Sequence, residues 1–146
     1  MFRKIKHYFF SAFREIFVYH HNSLAFRAKT YAVLIASSNE PMEQYESELR
    51  AIATEIYDDP DRAGALVLTV REYYNAIHVK KSMTDEALLM EILKDIRLMP
   101  RYALKIESDH LTRLAQHTNN GDSVIYQNRL IEFLAHKRQE YKESRG

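Results

Sequence analysis

The sequence predicts an all-α fold, a compact single-domain helical bundle of about six or seven helices, and three observations carry that prediction. Apolar residues recur at the 3.6-residue helical period along nearly the whole chain. Only 3 Gly and 3 Pro occur in 146 residues, roughly 4% against about 12% in average usage, too few for the turns of a sandwich or barrel of short strands. The length suits one domain, and no low-complexity stretch or linker divides it.

The elements follow in order. Phe2, Ile5, Phe9, Phe13 and Ile16 form one stripe of a first helix over about 2–19. His20-His21-Asn22-Ser23 reads as a turn, with Asn22 or Ser23 as the N-cap of a helix over about 24–37 carrying Leu24, Ala28, Tyr31, Ala32 and Ile35. Ser37-Ser38-Asn39 breaks that helix. Pro41, tolerated at a first helical position, then starts another over 41–57 with Tyr45, Leu49, Ile52 and Ile56 on one face. Asp58-Asp59-Pro60 repeats the cap-and-proline device before a helix running to about Ile77, with Ala63, Leu66, Val67, Val70, Tyr74 and Ile77 inward.

His78–Met83 is polar and basic, a loop, after which Ser82 or Thr84 caps a helix with Leu89, Ile92, Leu93 and Ile96. That helix stops before Pro100, because the residue preceding a proline disfavours helical geometry. A helix over 101–117 carries Leu104, Leu111, Leu114 and Ala115. Thr118-Asn119-Asn120-Gly121-Asp122 is the strongest turn in the chain. A last helix over about Ser123–Tyr141 presents Ile125, Leu130, Phe133 and Leu134. The expected organisation is a basic, Phe-rich amphipathic helix at 1–22, a bundle at 23–141 and a frayed tail at 142–146.

With no Cys, disulfides, cysteine-ligated metal sites and a cysteine nucleophile are excluded. The longest aliphatic and aromatic run, Tyr31–Ala36, falls far below the roughly 20 residues of a membrane span. Arg14 and Glu15 interrupt the apolar start, so it does not read as a cleavable signal. The expected setting is cytoplasmic, with contact at the inner face of the membrane as a variant. Gly-rich phosphate loops, a nucleophile elbow and a His-Glu-x-x-His zinc motif do not occur, and no cofactor is expected.

A net charge of +1 hides blocks. Up to Lys29, six basic residues stand against Glu15 alone; from Thr30 to Asp61, eight acids stand against Arg50. Such blocks dock on one another or steer a charged partner. The first helix interleaves Phe2, Ile5, Phe9, Phe10, Phe13 and Phe17 with Arg3, Lys4 and Lys6. Three uses fit it: packing within the chain, self-association or a protein partner, and a membrane surface. Nucleic acid is not expected beside so acidic a block.

Candidate metal ligands are sparse. Glu43 and Glu46 lie near a helix N-terminus, where acids are favoured by the dipole. His110 and His117 lie seven apart on one face, and Asp122 follows the Asn-Asn-Gly turn. Oxygen-rich turns suit hard cations and paired histidines suit zinc, while caps and surface side chains account for the same residues.

An apolar helix, a polar turn and an acid-rich helix occur twice. The first copy is Tyr31-Ala-Val-Leu-Ile-Ala-Ser-Ser-Asn-Glu40 with Glu43, Glu46 and Leu49; the second is Leu111-Thr-Arg-Leu-Ala-Gln-His-Thr-Asn-Asn-Gly-Asp122 with the helix through Leu134. This pattern, over about 24–140, resembles the tellurite-resistance TerB-like helical domain family. Ser38-Asn39 stands at the family's first Asp-Gly and Glu46 at its trailing acid. Asn120-Gly121 stands at the second, with no acid near Asn128-Arg129. The resemblance implies a non-catalytic, helical binding domain of a stress-response or envelope-associated kind. With serine and asparagine in place of both aspartates, tight divalent-metal binding is not expected. The alternative is a small metal-dependent enzyme or regulator using the acidic turns or the His110/His117 face.

Overall fold

The computed structural model describes residues 22–145. The first expected helix, with Phe2, Arg3, Lys4, Ile5, Lys6, Phe9, Phe10, Phe13 and Phe17, lies outside the described residues. Helix covers 81% of what is described, without strands, as α1 (Asn22–Ala36), α2 (Glu43–Ile56), α3 (Pro60–His78), α4 (Asp85–Leu98), a 3-10 helix (Pro100–Lys105), α5 (Ser108–Ala115) and α6 (Gly121–Arg145).

Helix α1 is the axle of the bundle. It packs against α3, α4, α5, the 3-10 helix and α6, and is apolar nearly all round, so Phe26, Val33 and Leu34 are buried as well as the expected stripe. Its C-terminus is therefore also buried, and the four carbonyls that a helix end leaves unpaired must find donors inside the protein. Ser37 N–H donates to Val33 (3.1 Å), and Ser37 Oγ and Gln127 Nε2 both donate to Leu34 (2.6 and 3.0 Å). Ser38 donates to Ile35 from its backbone and hydroxyl, and His78 Nε2 donates to Ala36 (2.7 Å) with its ring tilted against that of Tyr74, centroids 4.9 Å apart.

Several caps are where local chemistry puts them. Asp59 Oδ1 accepts from Asp61 N–H at 2.9 Å with Pro60 in the first helical position of α3. Thr84 Oγ1 accepts from Ala87 N–H at 3.0 Å at the start of α4. Pro41 differs from expectation. It precedes the helix and opens a turn in which Gln44 N–H donates to the Pro41 carbonyl (3.1 Å), so regular α2 begins at Glu43.

The helix expected over 101–117 is two. The 3-10 helix ends at Lys105, Ile106 and Glu107 are extended, and α5 starts at Ser108. A tertiary contact drives the break. The Arg138 guanidinium donates to the carbonyls of Leu104 (3.0 Å) and Ile106 (2.7 Å), which a continuous helix would have kept for itself. Ile106 is buried by the break while Leu104 is turned outward.

Helix α6 starts two residues early, with Asn120 Oδ1 accepting from Ser123 N–H (3.0 Å). It also does not fray after Tyr141: Arg145 donates to the Tyr141 hydroxyl and Gln139 to Glu143, one turn apart, and helix persists to Arg145. Its core face is Gln127, Leu130, Ile131 and Leu134, while Ile125 and Phe133 are 56% and 39% exposed. Leu130 and Leu134 face inward as expected, while Gln127 and Ile131 take the places expected of Ile125 and Phe133.

Candidate functional site

The two polar turns lie against one another, although about eighty residues separate them. Tyr45, fully buried on α2, places its hydroxyl 2.8 Å from Ser38 Oγ and 2.6 Å from Thr118 Oγ1. The Glu40 carboxylate accepts from Asn119 N–H at 3.0 and 2.9 Å, the Glu40 carbonyl accepts from the Tyr74 hydroxyl at 3.0 Å, and Gln44 Nε2 donates to the His117 carbonyl. Three of these contacts, Tyr45–Thr118, Glu40–Asn119 and Gln44–His117, run between the two turns and tie α2 to the start of α6.

The metal candidates are not brought together. Glu43 and Asp122 are exposed, and Glu46 is paired with Arg71. His117 Nε2 lies 3.2 Å from Glu48, on the α2 side. His110 Nδ1 lies elsewhere, 2.9 Å from Glu107 and 3.0 Å from the Tyr31 hydroxyl. Among the described residues, no three His, Asp or Glu side chains are placed to hold one ion.

What these groups form instead is two electrostatic clamps. In the first, Arg27 donates to Glu107 (3.0 Å), whose other oxygen faces His110. Burial, the largest cause, pushes the Tyr31 hydroxyl well above the ordinary tyrosine value against the pull of Arg27, so it serves as a neutral hydrogen-bonding group. In the second, Arg113 on α5 forks between Glu48 (2.8 Å) and Glu55 (2.7 Å) on α2. The guanidinium holds both carboxyls below the usual range, with His117 adding to the effect on Glu48.

Carboxyls depressed in the folded state contribute stability above their unfolded values and lose it as pH falls through the folded ones. The melting temperature of Arg113→Gln should therefore lie below that of the parent at neutral pH and converge with it in acid, once both depressed carboxyls are protonated. The clamp is solvent-facing, so the gap should be small and should shrink in high salt. A gap independent of pH would reject the clamp.

The surface feature that sequence reading missed is a groove between α4 and α6. The two helices stay apart there, leaving a cavity of about 470 Å³ lined by Leu93, Ile96, Pro100, Lys137 and Tyr141 among others. On α6, Tyr126, Phe133, Lys137, Tyr141 and Ser144 share one helical stripe; on α4, Glu86, Met90, Leu93 and Arg97 share another. Asp85 and Glu86 act electrostatically on Tyr126, so the N-terminal ends of the two helices lie together and the stripes face one gap. Met90 is 64% exposed, and the Lys137 ammonium sits 5.3 Å over the Phe133 ring. Leu98, 71% exposed, follows at the far end of α4. Spacing in the sequence contained this stripe, but Leu93 and Phe133 read equally well as core.

Compared with known proteins, the chain matches no family model, no curated protein and no solved structure. Among the described residues, no helix is long and apolar enough to cross a membrane.

Proposed function

We propose that this chain is a non-catalytic helical interaction domain that binds through the α4–α6 groove. The carrying observation is the groove itself: Leu93, Ile96 and Tyr141 line it between α4 and α6, and Met90, Tyr126 and Phe133 continue the same helical stripes as exposed apolar side chains on an otherwise well-packed bundle. Apolar surface of that kind, interspersed with Arg97, Lys137 and Glu140, is characteristic of helix-in-groove recognition. The ionisable groups near the two polar turns support the same reading, because Glu40, Glu48 and Arg113 are engaged in joining elements. Proximity of those turns is in keeping with the doubled hairpin of TerB-like domains, and on that resemblance we place the protein in a stress-response setting.

The test is a photo-reactive benzoylphenylalanine at position 133 of the full chain, irradiated in cells and mapped by mass spectrometry. A discrete adduct at 133, absent when the same group stands at Thr54 on the exposed face of α2, is the expected result. No adduct at 133 beyond that control rejects the groove as a binding surface.

A further inference from the structure

Independently of the groove reading, we propose that the corner where α4 meets the 3-10 helix docks on an anionic lipid surface, with Leu98 entering the headgroup layer and Lys94, Arg97 and Arg101 meeting its phosphates.

The corner projects, and its tip is apolar. Arg97, Leu98, Met99, Pro100 and Arg101 are five consecutive exposed residues. Leu98, at 71%, is the most exposed large apolar side chain among the described residues, with Met99 beside it at 37%. Leu104, 38% exposed, follows Arg101 on the same side, because residues three apart eclipse in a 3-10 helix. Slack backbone does not account for this exposure. Met99 N–H donates to the Asp95 carbonyl (2.8 Å) and Tyr102 N–H to that of Met99 (2.9 Å). Tyr102 stacks on Phe26 at 5.3 Å and Ala103 is fully buried. The corner is pinned from inside, and its outer side chains are held out. Such a shape offers no concavity to a partner helix, whereas a bilayer interface accepts an apolar tip from one side.

Charge selects an anionic surface. Lys94 lies one turn before Leu98 on the same face of α4, and Arg97 and Arg101 lie within three residues of Leu98. Among the described residues none of these three cations has an ion pair or a side-chain hydrogen bond. The neighbouring acids are engaged elsewhere: Asp95 and Glu91 with Lys29 (2.7 and 3.4 Å), Glu140 with His136 and Lys137 (3.0 and 3.6 Å). The acid-rich helix α2 packs on α3 and α5, while α4 packs on α1 and the 3-10 helix, so the acidic block and the corner occupy different flanks. Cations on long apolar stems can follow Leu98 to the interface while their heads stay with the phosphates. A polyanion without acyl chains would leave Leu98 and Leu104 with no partner.

The test is sedimentation of the full chain with vesicles of mixed phosphatidylglycerol and phosphatidylcholine, against phosphatidylcholine alone. Arg97 and Pro100 also line the end of the groove, so the substitutions are placed at the other corner residues. The parent should sediment with the anionic vesicles only. Lys94→Gln/Arg101→Gln should weaken binding about thirtyfold, at about fivefold per cation, and Leu98→Ser by at least about fivefold. These positions are exposed, and circular dichroism verifies that each variant folds as the parent does. Because the chain has no cysteine, Leu98→Cys and Thr54→Cys each take a single nitrobenzoxadiazole label. Only the label at 98 should brighten on anionic vesicles, Thr54 being exposed on α2. A parent that ignores anionic vesicles overturns the proposal. So does sedimentation with a label at 98 that stays dim, which would place the contact on another segment. Loss of binding in the charge variant with Leu98→Ser unchanged would identify a general polyanion site and overturn the lipid assignment. Capture at position 133 without vesicle binding would leave the groove reading intact and remove only the corner.

Discussion

Leu34→Ala should destabilise the protein by about 3–5 kcal/mol, at the upper end of the range for large-to-small core substitutions. Leu34 is fully buried on α1, and α1 is enclosed by α3, α4, α5, the 3-10 helix and α6. A cavity at the axle is bordered by several elements packed on α1 at once, so a small shift of any single one cannot close it. Leu134→Ala provides the contrast. Leu134 is equally buried, yet it sits on α6, whose other face borders the open groove, so the helix has room to settle inward. Its cost should fall nearer about 2–3 kcal/mol. Chemical denaturation of both variants measures the difference. Equal costs would show that α1 is no more constrained than the peripheral α6.

Tyr45→Phe should cost about 1–3 kcal/mol although it removes a single oxygen. That oxygen lies within hydrogen-bonding distance of Ser38 Oγ and Thr118 Oγ1 inside the fold. Ser38 keeps its bond to the Ile35 carbonyl, but Thr118, 8% exposed, is left with an unsatisfied hydroxyl. Replacing that hydroxyl as well should recover part of the loss. The double variant Tyr45→Phe/Thr118→Val should be more stable than the sum of the single effects predicts, with a coupling of about 0.5–3 kcal/mol. Strict additivity would mean that the two turns are joined by the Glu40–Asn119 and Gln44–His117 bonds without the Tyr45–Thr118 contact.

Local chemistry made much of this fold legible. Asp59-Pro60, Thr84 and the stop before Pro100 act within four residues of themselves, and each stands where the sequence puts it. The polar turns were legible as turns, and the pairing of Tyr45 with both was not, because its partners lie 7 and 73 residues away. The split between the 3-10 helix and α5 was hidden for the same reason. An uninterrupted helical period runs through it, and the residue that breaks it, Arg138, belongs to another helix 32 residues on. Gln127 shows the reverse case. Its register with Leu130, Ile131 and Leu134 places it on the core face, but its polarity argued for the surface. Only the buried Leu34 carbonyl explains why an amide is there.

What the sequence determined by itself is the all-helical class and the ends of α3 and α4. Helical period, caps and prolines are interactions between near neighbours, and they hold whatever the rest of the chain does. Tertiary structure alone decided that α1 is the axle, that Gln127 and Ile131 rather than Ile125 and Phe133 complete the inner face of α6, where Arg138 interrupts the chain and that α4 and α6 stand apart over a groove. Those outcomes depend on which distant donor reaches a buried carbonyl and which distant surface excludes water from a given face. Both are set by the three-dimensional approach of segments that one-dimensional spacing does not encode.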